Sequence, residues 1–166
     1  MAMKWFSNAW YHGVKTEEEF EWPYKFYLEH CSHTTPLVPE NLRRFLGEQV
    51  NGRHTWIHDA TVVEWEDSSP DAFTITWDCP HEQTEDDFER LTVVYSGNVE
   101  LFDVDSDQIA TWLNDPETEF IFDELEIVGE DRFEHRHLML PKGDFGVRFS
   151  TASVTSELLP WHRYST

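Results

Sequence analysis

Phe73, Ile75 and Trp77 are interleaved with Thr74, Thr76 and Asp78, and Phe145, Val147 and Phe149 with Gly146, Arg148 and Ser150. Successive side chains of a β-strand point to opposite faces, so a period of two predicts half-buried strands with one apolar side. From Trp56 onward, Val, Ile, Thr and aromatic residues recur between turn signals, which predicts strands over about 56–66, 72–79, 88–95, 98–104, 119–128, 132–140 and 145–154. Asp67-Ser68-Ser69-Pro70-Asp71 and Ser96-Gly97-Asn98 have the composition of hairpin loops, and Pro141-Lys142-Gly143-Asp144 joins the last pair. Consecutive hairpins imply an antiparallel meander. Over 132–140, Phe133, His135, His137 and Met139 share one face while Glu134, Arg136, Leu138 and Leu140 share the other, so both faces are expected to be partly covered.

Before Val50 the pattern is helical. Thr16-Glu17-Glu18-Glu19 has the form of a capping box, and Phe20, Tyr24, Tyr27 and Cys31 follow on one helical face. Pro23 either kinks this helix or begins a shorter one running to about His30. After a loop from Ser32 to Pro39, Pro39-Glu40-Asn41 opens a second short helix that presents Leu42, Phe45 and Leu46 and ends near Gly47. Within the strand region, Asp107 is placed to cap a short helix carrying Ile109, Trp112 and Leu113, stopped by Pro116. The expected fold is therefore α+β in a single domain, 1–166. A helical region, 1–50, packs on a β-rich region, 51–166, of about six to seven antiparallel strands curled into a sandwich or open barrel.

Charge narrows the function classes. The chain has 33 Asp+Glu against 12 Lys+Arg, a formal charge of −21 over 166 residues. Nucleic-acid affinity rests on Lys and Arg releasing counterions, so direct DNA or RNA binding is disfavoured, as are anionic membrane surfaces. No run approaches the roughly 18 apolar residues of a spanning helix, and the opening residues turn polar too soon for a signal-peptide core. With 8 Trp, 12 Phe and 5 Tyr the chain has the large side chains that disordered acidic sequences lack. Cys31 and Cys79 are too few for a disulfide framework and read as reduced thiols of a cytoplasmic protein.

The opening Met3-Lys4-Trp5-Phe6-Ser7-Asn8-Ala9-Trp10-Tyr11 resembles the start of a family of bacterial proteins of unknown function, which begin Met-Lys-aromatic-Phe-Thr/Ser and soon reach Trp-Tyr. Ile57-His58-Asp59-Ala60-Thr61-Val62 is similar to that family's apolar-His-Asp-x-x-Val strand entry, and Trp112 followed by Glu126-Ile127 resembles its Trp-then-Glu-Ile segment. The resemblance implies an N-terminal helical region joined to a β-rich one in a cytosolic bacterial protein. It implies no activity.

Nine histidines invite a metal reading. His135-Arg136-His137 places two imidazoles on one strand face, and with His58 and Asp59 these are the candidate ligands for Zn or Fe; Cys79-Pro80-His81 adds to them only if its strand continues past Pro80. No Cys-x-x-Cys or His-Glu-x-x-His pattern accompanies them. Asp103-Val104-Asp105-Ser106-Asp107 begins like a calcium loop, but Gln108 stands where glycine is needed and Asn114 where the bidentate glutamate belongs. Cys31 lies beside His30 and His33 without evident pairing, and Glu64, Glu66, Glu124 and Glu126 are candidate paired carboxylates in a chain where acids are common. Asp144-Phe145-Gly146 lies in a hairpin without the glycine loop or His-Arg-Asp loop of a kinase. Gly-x-Ser-x-Gly and the phosphate-binding glycine motifs are absent from the sequence. The leading expectation is a non-enzymatic acidic protein, needing no cofactor, that binds a basic protein partner as an inhibitor or immunity protein does. The alternative is a metal-binding β protein, or a metal-dependent enzyme, using the His-x-His pair.

Overall fold

A computed structural model describes residues 3–13, 16–48, 57–80 and 87–160. Helices come first: α1 (Asn8–Gly13), α2 (Glu17–Thr34) and α3 (Glu40–Arg43), with 3-10 turns at Thr35–Leu37 and Arg44–Leu46. There follow β1 (Ala60–Ser68), β2 (Ala72–Pro80), β3 (Asp87–Ser96) and β4 (Glu100–Phe102), then α4 (Ser106–Asn114). The chain continues through β5 (Glu119–Gly129), β6 (Arg132–Leu140), β7 (Gly143–Phe149) and β8 (Thr151–Pro160). The expected α+β class and antiparallel sheet are present, with eight strands among the described residues instead of six or seven. The predicted strand over 145–154 is two strands, broken at Ser150.

The strand order β4-β7-β6-β5-β1-β2-β3-β8 is not a plain meander. Two meanders, β1-β2-β3 and β5-β6-β7, meet at a seam where β1 and β5 share only Ala60↔Phe120 and Thr61↔Glu119. The Ser96-Gly97-Asn98 turn makes no hairpin: β3 pairs with β8, and β4 pairs with β7. The turn itself is tight. Gly97 (φ +80) and Asn98 (φ +54) both take the left-handed region, and a Cβ on Gly97 would press on Ser150. The two links between the meanders therefore cross in contact. Ser150 N–H donates to the Ser96 carbonyl at 3.0 Å, and Arg132 donates to the carbonyls of Gly97 and Asn98 at 2.8 and 2.7 Å.

With the halves folded over each other, the inner faces make one core. Phe73, Ile75, Trp77, Leu91, Val93 and Tyr95 face Phe120, Leu125, Phe145, Val147 and Phe149, all fully buried. Rings meet across the gap at Tyr95–Phe149, 4.9 Å, and Trp77–Phe120, 5.4 Å. Both faces of β6 are covered, since Glu134 and Leu138 on its outer side are buried like His135 and His137 within. The N-terminal segment crosses that outer side: the Lys4, Trp5 and Phe6 N–H groups donate to the Glu124 carboxylate at 2.8, 2.6 and 2.7 Å.

Pro23 lies inside one continuous 18-residue helix, capped as expected by Thr16, whose hydroxyl accepts from Glu19 N–H. A proline deprives the carbonyl four residues earlier of its donor. Here that carbonyl belongs to Glu19, and the Trp10 indole N–H donates to it at 2.9 Å. At α4 the cap is Asp105, not Asp107: its carboxylate accepts from Gln108 N–H while Gln108 accepts from Asp105 N–H, so this acid of the calcium-like run serves the helix.

Candidate functional site

Beyond the seam, no strand among the described residues pairs with β5 on its β1 side, and side chains meet its backbone groups. His58 Nδ1–H donates to the Ile121 carbonyl at 2.7 Å, His30 Nε2–H donates to the Leu125 carbonyl at 2.9 Å, and Leu125 N–H donates to the Tyr27 hydroxyl at 3.1 Å. Helix α2 thus closes the gap between the two halves. The 3-10 turn Arg44–Leu46 seats Phe45 4.6 Å from the His135 ring, and Arg44 makes a buried ion pair with Glu89.

His135 and His137 come together as the alternation requires, on the inner face, rings 4.2 Å apart and both buried. Both nitrogens of His135 are engaged. Its Nε2–H donates to Asp123 Oδ2 at 2.7 Å, and its Nδ1 accepts from the Tyr95 hydroxyl at 2.8 Å. A carboxylate only accepts, so this chain sets the His135 tautomer. His137 packs among Trp77, Phe120 and Phe145, and neither of its nitrogens has a hydrogen-bond partner among the described residues. Burial, then the neighbouring His135, holds its pKa well below the usual imidazole value, so it is neutral.

The other nominated ligands stand elsewhere. His58 is half exposed, and its Nε2 is 3.6 Å from the equally exposed Asp59. Among the described residues no three His, Cys, Asp or Glu side chains are grouped as metal ligands. His81 lies outside the described residues. Cys31 and Cys79 are buried free thiols; burial is the main cause that lifts the Cys31 pKa to about 11 and Cys79 further, and the neighbouring His30 and His33 are bonded to backbone carbonyls instead. Glu124 is spent on the N-terminal amides, and Glu126 pairs with Lys4 and Arg136, so these two do not form a free carboxylate pair.

A second place draws attention on the opposite side of α2. Trp5, Trp10, Trp22, Pro23 and Phe26 line a groove of about 650 Å³, with Glu18 and Glu19 on its border. Trp22 is 60% exposed and Phe26 43%, in edge-to-face contact at 5.2 Å. One ammonium already sits on this aromatic surface, Lys4 Nζ at 4.5 Å from the Trp5 ring centroid. The helical periodicity places Phe20 and Tyr24 on one face of this helix, but the tryptophans gave no periodic signal, because they come from three separate segments. No protein-family model, curated protein or solved structure matches the chain.

Proposed function

We propose that the protein is a cytoplasmic, non-enzymatic binding protein whose α1/α2 groove takes a Lys- or Arg-containing segment of a basic protein partner. The observation that carries this is the exposed Trp22–Phe26 pair beside Glu18 and Glu19. Exposed aromatic clusters of this kind mark interaction sites, and their ring faces favour cations. The net charge of −21 draws a basic partner in and repels nucleic acid. Two free thiols and, among the described residues, no helix long and apolar enough to cross a membrane support the cytoplasmic placement.

Titration with an Arg/Pro-alternating nonapeptide, followed by tryptophan fluorescence, tests the groove. Trp22→Ala with Phe26→Ala is expected to weaken binding by about tenfold or more, the scale of losing an aromatic anchor. Glu18→Gln with Glu19→Gln is expected to weaken it less and to flatten its salt dependence. A double aromatic variant that binds as tightly as the unmodified protein would show that net charge alone draws the peptide, and the groove assignment would fall.

A further inference from the structure

On the inner side of α2, and independent of the groove, lies a cavity of about 180 Å³. The rings of Phe6, Tyr24, Tyr27, Phe45 and Phe122 form much of its wall, and Asp123 opens onto it. The size is that of a small guest, since a cavity of about 150 Å³ accepts a benzene-sized molecule.

An acid, Asp123, stands among these rings. Asp123 accepts from His135 Nε2–H, and His135 in turn accepts from Tyr95, so the chain behind the carboxylate ends on a phenol. Tyr95 and His135 are each 0% exposed, which fixes the carboxylate from behind, and Asp123 is among the residues lining the cavity. Among the described residues no Lys or Arg pairs with Asp123. The charge is felt nearby: after burial, Asp123 is the next cause that raises the pKa of the Tyr27 and Tyr95 hydroxyls. Aromatic faces carry the negative end of the ring quadrupole, so walls and carboxylate favour the same kind of guest. An anion would be repelled, and a neutral molecule would gain nothing from the charge of the carboxylate.

We propose that this cavity binds a small organic ammonium ion, its nitrogen against Asp123 and its alkyl groups against the surrounding rings. The size limits the guest to roughly six to eight non-hydrogen atoms. The acidic exterior raises the local concentration of such a cation.

The test is a calorimetric titration of the full chain with tetramethylammonium chloride, against sodium chloride at equal ionic strength, and with tert-butanol as a neutral molecule of similar size. One saturable site for tetramethylammonium is expected, with tert-butanol at least about tenfold weaker. Asp123→Asn keeps an oxygen to accept from His135 and removes the charge, and it is expected to weaken tetramethylammonium by about tenfold or more. No saturable site, equal affinity for tert-butanol, or an undiminished Asp123→Asn variant would each overturn the proposal. Should that variant not fold, nuclear Overhauser contacts in the unmodified protein decide: N-methyl protons against Phe45 and Phe122 support the cavity, whereas contacts to Trp22 and Phe26 alone overturn it.

Discussion

On the outer side of β6, Glu134 sits between two arginines: one oxygen accepts two N–H groups of Arg136 at 3.1 and 2.5 Å, the other two of Arg148 at 2.9 and 2.6 Å. One residue along, on the inner side, His135 is held between a phenol and a carboxylate, and His137 is held by rings alone. Both sides bury polar groups in one strand, yet outside every charge meets an opposite one, while inside the imidazole nearest the aromatic core is neutral. Burial raises the Glu134 pKa, but the Arg136 and Arg148 hydrogen bonds outweigh it and leave it below the usual value. The outer cluster is a brace. The inner one is joined to Asp123, a residue in the lining of a cavity.

The contrast is open to direct attack. Glu134→Leu strips both guanidinium groups of their shared partner, and unfolding in urea at pH 7 is expected to show a loss of about 3 kcal/mol. A loss under about 1 kcal/mol would mean that Glu126 and Glu100, which already hold Arg136 and Arg148, suffice without it. Tyr95→Phe leaves His135 Nδ1 without a donor in a dry interior, at an expected cost of about 1–2 kcal/mol in the same assay. It also frees the imidazole tautomer, which nitrogen NMR of His135 would show.

The smallest effect at neutral pH belongs to His137→Phe, within about 1 kcal/mol at pH 7 because an aromatic ring replaces a neutral imidazole among aromatic rings. Its pH dependence is the sharper readout. In the unfolded chain the imidazole takes a proton near 6.5, but the folded one resists until far lower, so stability falls as pH drops below 6.5, by up to about 1.4 kcal/mol per pH unit. Glu134 has a different window, its contribution being present above about 4.5 and lost as pH falls through its lower folded value. Between pH 7 and 5.5 the His137→Phe variant is therefore expected to gain about 1 kcal/mol relative to the unmodified protein. A constant difference over that range would show that His137 accepts a proton within the fold.

Strand alternation made part of this legible in advance: His135 and His137 had to share a face, and Glu134 and Arg136 the other. Asp123 could not be read the same way. It reaches that face because β5 shifts register between Phe120 and Phe122, which sets Asp123 opposite His137 and within reach of His135. Nothing in the local sequence announces such a bulge. The fate of Pro23 was equally non-local, because the indole that satisfies the Glu19 carbonyl belongs to α1. The crossing at Gly97 and Ser150 escaped because a Gly-Asn turn usually signals a hairpin, and only the pairing of β3 with β8 distinguishes the two uses. The aromatic groove assembles residues from the N-terminal segment, α1 and α2, so no periodicity along one element reveals it.

Because Ser96 and Thr151 stand opposite each other in the β3–β8 ladder, the polypeptide leaves one four-stranded layer and rejoins it at a single point. Everything between, β4 through β7 with α4, reads as a parenthesis in an otherwise contiguous β1-β2-β3-β8 sheet. Such an arrangement lets the enclosed part lengthen, shorten or be exchanged while the enclosing ladder keeps its register. The parenthesis also carries Asp123 and His135, so a change of guest could be written there with the outer clause left as it is.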